Sequence, residues 1–79
     1  MSLQTVRDGR DMPFIKRGMR VQVYNGKFGV ISSSNSQMNL NVRLDGEKQS
    51  TNYHPQWKMK YFDDKGNVIA EYKDWGEYA

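Results

Sequence analysis

From Gly18 onward, apolar and polar positions alternate along the chain. Val21 and Val23 alternate with Arg20, Gln22 and Tyr24, the period of two that marks a half-buried strand. Asn25-Gly26 follows at once. Both residue types accept positive φ, so the pair predicts a tight turn. KFGVIS, residues 27–32, is the next strand, and Gly29 inside it marks a bulge or sharp bend. SSSNS at 32–36 is a polar turn cluster. The strictest alternation comes next: Met38, Leu40, Val42 and Leu44 against Asn39, Asn41, Arg43 and Asp45. One face of that strand is buried and the other wet. Asp45-Gly46 is a second hairpin turn. EKQSTNY, residues 47–53, is polar and reads as a short or edge strand, broken by His54-Pro55. Trp57, Met59 and Tyr61 then alternate with Lys58, Lys60 and Phe62; DDKGN forms a loop, and VIAEY at 68–72 returns.

No stretch carries a helical period over a useful length. Five to six short antiparallel strands at a spacing of about 8–12 residues predict an all-β domain. At this size a small closed barrel is expected, because closure protects strand edges. Residues 1–15 are polar and aperiodic and predict a flexible, basic, mobile N-terminal arm. The barrel domain is expected over 16–73, with a C-terminal tail at 74–79.

Composition changes the picture in three ways. The chain has 79 residues and no cysteine, which leaves room for one domain. It also removes disulfide frameworks, thiolate zinc sites and cysteine nucleophiles. Leu, Ile, Val and Phe are scarce, but a net charge of only +3 and 13% aromatics argue for a folded chain over a disordered one. No apolar run approaches the roughly 18 residues of a membrane span, and MSLQTVRDGRDM lacks the apolar stretch of a signal peptide. A cytoplasmic protein without membrane attachment is the expectation. The charge is unevenly spread: residues 1–43 are strongly basic, whereas 44–79 carry more acids than lysines. A basic half suits phosphate or an acidic partner.

Two segments, GMRVQVYNGKFGVI and NLNVRLDGEKQSTNY, resemble an SH3-like small β-barrel of the KOW/Tudor-like group. Gly26, Gly29, Val30 and Ile31 stand where that group turns through a glycine and re-enters with Gly-hydrophobic. The resemblance spans about residues 18–55 and implies binding of RNA, DNA or protein. The first turn is less basic than the group usually shows, with Lys27 its one cation. Val21-Gln22-Val23-Tyr24 is also similar to the pore-lining strand motif of type II dihydrofolate reductases. There the motif lies late in the chain, and the rest of that family's sequence is unmatched here.

Two sets of side chains are candidates for function. The first is a basic and aromatic face: Arg20, Lys27, Arg43, Lys58 and Lys60 as phosphate contacts, with Tyr24 and Phe62 as platforms for bases. Arg7, Arg10, Lys16 and Arg17 of the arm would add contacts to the backbone of RNA or DNA. The second is the aromatic cluster Tyr53, His54, Trp57 and Tyr61, which would serve a protein partner, with an edge strand available for self-association. The competing role for Trp57 is as a structural plug in a core short of Leu and Ile. His54 is the single histidine and lacks the spaced partners of a catalytic base or metal ligand. Asp63-Asp64-Lys65-Gly66-Asn67 lacks the spacing of a calcium loop and reads as turn chemistry. No nucleophile, phosphate-loop or metalloprotease motif is present. The expectation is a non-catalytic binding module with no metal and no small-molecule cofactor.

Overall fold

A computed structural model describes residues 3–73, so the expected tail at 74–79 lies outside the described residues. The elements are α1 (Leu3–Gly9), β1 (Arg20–Gln22), β2 (Phe28–Ser34), β3 (Leu40–Leu44), β4 (Thr51–Tyr53), β5 (Met59–Phe62) and β6 (Val68–Tyr72). All six strands the alternation predicts are present. They form one antiparallel sheet in the order β4-β3-β2-β1-β5-β6.

The turns follow from the local sequence. At the first hairpin, Val23 N donates to Lys27 O at 2.9 Å and Gly26 N to Val23 O at 3.0 Å. Asn25 Oδ1 accepts from Lys27 N. Gly26 alone takes positive φ, at 87°. The connection is therefore a three-residue loop closed by a left-handed glycine, not a two-residue turn with both φ values positive. The β5–β6 loop repeats the device: Asp63 N donates to Asn67 O, Gly66 N donates to Asp63 O, and the Asp63 carboxylate collects Lys65 and Asn67. Those donors hold the Asp63 carboxyl below its ordinary range. This is the turn chemistry the sequence predicts.

The buried face of the sheet carries Val21, Val23, Ile31, Leu40, Val42, Met59 and Tyr61. These are the inward positions of the period-two pattern. Gly29 is also buried, and its partner strand β3 approaches it closely: an added Cβ would meet the Arg43 carbonyl oxygen at 2.6 Å. The pairing of β2 with β3 shifts register between Ile31 and Ser33, a bulge two residues beyond that glycine.

Three expectations are corrected. The sheet is not a closed barrel: β4 and β6 are its two edges. The N-terminal segment is not a mobile arm. Val6, Met12 and Ile15 are fully buried in the same core as Val21 and Tyr61. Arg7 Nε donates to Ile15 O at 2.6 Å, and Arg10 Nε to Met38 O at 3.1 Å. The Gln56 side chain donates to Arg10 O at 2.8 Å. Residues 3–15 thus bind the β2–β3 loop to the turn after β4, and the few apolar residues of the segment are the ones that go inside. A seven-residue helix is marginal alone, so this packing is what sustains it. Finally, Trp57 is not the core plug. That position belongs to Tyr61, fully buried, whose hydroxyl donates to Pro55 O at 2.5 Å. Among the described residues, no helix is long and apolar enough to cross a membrane.

Candidate nucleic-acid and protein interface

Strand register decides which candidate side chains share a surface. Val30 of β2 pairs with Arg43 of β3 and with Arg20 of β1. Val21 pairs with Tyr61, which sets Arg20 beside Phe62 on the solvent face. Arg43, Val30, Arg20 and Phe62 therefore form a row across four strands. The neighbouring row is Phe28, Gln22, Lys60 and Glu71. Four of the seven predicted nucleic-acid residues lie on these rows or line up with them: Arg20, Arg43, Lys60 and Phe62.

Phe28 joins them, although the sequence reading did not single it out. It is 40% exposed. Its ring lies 5.8 Å from Phe62 and under the Arg20 guanidinium at 5.5 Å. Alternation with the buried Gly29 was the available signal. Arg20 is also held by Asp45 through two hydrogen bonds, at 2.6 and 2.5 Å. That pair raises the Arg20 pKa and lowers that of Asp45. Both groups stand in solvent, so the pair orients the guanidinium more than it stabilises the fold. Lys60 faces Glu71 at 3.9 Å.

The remaining predicted residues gather elsewhere. Tyr24 leaves the strand and sits in the first hairpin turn, 55% exposed. Its ring is 5.5 Å from Trp57 and 6.4 Å from Tyr53. Burial and Tyr24 raise the Tyr53 pKa. Lys58 lies with its ammonium 5.4 Å over the Trp57 ring. Its φ is 50°, a left-handed conformation unusual for a lysine. One predicted nucleic-acid aromatic and one predicted cation are thus joined to two members of the second set. A groove of about 420 Å³ opens beside them, lined by Gln22, Tyr24, Lys58, Lys60, Tyr72 and Lys73 among others. Lys60 belongs to both the groove and the sheet face, so the two surfaces are continuous. Lys27 is exposed at the end of the same hairpin turn.

Two members of the second set separate from it. Tyr61 is buried, its pKa is driven up by that burial, and it cannot touch a partner. His54 is half-buried, and its Nδ1 accepts from Gln56 N at 3.1 Å. Burial first, and Arg10 second, lower its pKa. Among the described residues, no group of three or more His, Asp or Glu side chains is placed to hold a metal ion. No protein-family model, curated protein or solved structure matches the chain.

Proposed function

We propose that this chain is a non-catalytic binding module that associates with nucleic acid through the continuous basic and aromatic surface of β1, β3 and β5. The observation that carries the reading is the position of Lys60. It links the Arg43–Arg20–Phe62 row to the groove beside Tyr24, so cations from three strands and the exposed Tyr24 ring stand on one connected surface. Cations neutralise phosphates and rings stack on bases, and both are needed in one place. The resemblance of residues 18–55 to SH3-like, KOW/Tudor-like domains is compatible with this role, but fold alone does not choose among RNA, DNA and protein. The site of action we infer is the cytoplasm.

Fluorescence anisotropy of a labelled mixed-sequence oligonucleotide, titrated at rising salt, tests the reading. Binding is expected to weaken with a log–log slope of about −2 or steeper, as release of counterions from several phosphates requires. Arg43→Gln should weaken binding uniformly across sequences. Binding that ignores salt, or none at low salt, rejects it. The competing reading is a protein-interaction module. It draws on Tyr24 standing exposed against Tyr53 and Trp57, and on the unpaired edge of β4. It requires association that persists at high salt.

A further inference from the structure

We infer that the groove between the first hairpin turn and the β5–β6 hairpin is a site for unpaired nucleic acid, with one base stacked on Tyr24 and its flanking phosphates on Lys58, Lys60 and Lys73. The inference rests on the nucleic-acid reading above and narrows it to single strands.

Charge is the first argument. Three lysines line the groove, and the one acid among its lining residues, Glu71, already faces Lys60 at 3.9 Å. The groove therefore favours an anion. The ring is the second. Tyr24 keeps more than half its surface exposed while Trp57 and Tyr53 support it from within. A duplex keeps the faces of its bases stacked inside and shows only their edges. An exposed ring at a groove can stack only on a base that has left the helix. The third argument is size: about 420 Å³ matches the roughly 300–1,000 Å³ of sites for single small molecules, which is the scale of one nucleotide unit and not of a duplex. The fourth is backbone conformation. Lys58 is held at positive φ, with its N–H donating to Lys73 O at 3.4 Å. Non-glycine residues persist in that conformation where the surroundings impose it, and such sites cluster at ligand contacts. Here it sets the ammonium over the Trp57 ring, beside the proposed base position.

The test is anisotropy at low salt with labelled oligo-dT and oligo-U of about eight nucleotides, within the span of one small single-strand-binding domain. A duplex of equal length is measured alongside. The single strands are expected to bind about tenfold more tightly than the duplex, and Tyr24→Ala to lose about tenfold on single strands alone. Tyr24→Phe should retain the affinity. Lys58→Gln should reduce the salt slope by about 0.7, one single-strand phosphate. Tyr24 lies in an exposed turn, and an amide NMR spectrum altered only around residues 23–27 and around Tyr53 and Trp57, whose rings it touches, establishes that the Tyr24→Ala chain is folded. The stronger of oligo-dT and oligo-U identifies DNA or RNA as the source of the strand, and this signature on either one supports the site. Equal affinity for duplex and single strands, weakened by Arg43→Gln and unmoved by Tyr24→Ala, overturns the groove site and leaves the broader reading standing. No binding of any probe overturns both.

Discussion

At His54, burial and the nearby Arg10 both oppose a positive charge on the imidazole. Its Nδ1 accepts from Gln56 N, and the Gln56 side chain holds Arg10 O, so the neutral ring belongs to the joint between the N-terminal segment and the turn after β4. The folded pKa lies below the unfolded one, so the unfolded chain binds more protons in the interval between them. The stability from His54 is therefore complete above about pH 6.5 and is lost as pH falls through the depressed folded value. Urea midpoints should fall between about pH 7.5 and about pH 5.5, and His54→Gln should flatten that slope. A slope that survives the substitution rejects the assignment. Asp45 and Asp63 act in a separate window: their lowered pKa values give stability that is present above the ordinary carboxylate value of 3.8 and lost as pH falls below it. At this scale alternation separated inward from outward positions but did not place every ring. Trp57 and Tyr61 fall on the same side by alternation. Which one is buried depends on pairing: Tyr61 lies opposite Val21 at the centre of the sheet, whereas Trp57 precedes β5. Tyr24 meets Trp57 through the curvature of a turn, which no local spacing encodes.

The strands were legible because each reports its own burial through a period of two, and the turns because Asn-Gly, Asp-Gly and Lys-Gly-Asn carry local conformational preferences. The helix was not. Seven residues with a single buried side chain, Val6, are too few to display a period of 3.6. Gly29 was read as a bulge or bend, but the register is regular there and shifts only between Ile31 and Ser33; the structure supplies a different reason for the glycine, the close approach of β3. A methyl group there would press on the Arg43 carbonyl oxygen at 2.6 Å and on Leu44 Cα at 2.9 Å. Both are main-chain atoms, so β3 would have to move as a strand. Gly29→Ala should cost about 1–3 kcal/mol, the usual range for overpacking. Urea denaturation measures it, and an unchanged midpoint would show that β3 yields freely.

For the molecule as a whole, the all-β character was plain, but the expected closure was not realised. Alternation specifies which side of a sheet is buried and says nothing of what covers it. Here the cover comes partly from outside the sheet, through Val6, Met12, Ile15 and Met19. Sparse apolar residues in a polar segment are poor signals of burial, which is why residues 3–15 were read as an arm. Met12→Ala tests that burial. Because Met12 fills the core, the substitution should destabilise the domain by about 2–5 kcal/mol; a loss of no more than about 0.5 kcal/mol, as at a surface site, would reject it. Thermal or urea unfolding reads the difference. The order of the sheet has a kinetic consequence. The hairpins β2–β3 and β5–β6 join strands that are near neighbours in sequence, but the central strand β1 has β5 as one of its two partners, and their paired residues Val21 and Tyr61 are separated by β2, β3 and β4. Chain entropy must be surrendered over the three intervening strands before that contact returns anything. A ribosome releasing this chain exposes β1 with one flank unpaired until β5 has emerged, so the sheet is completed late.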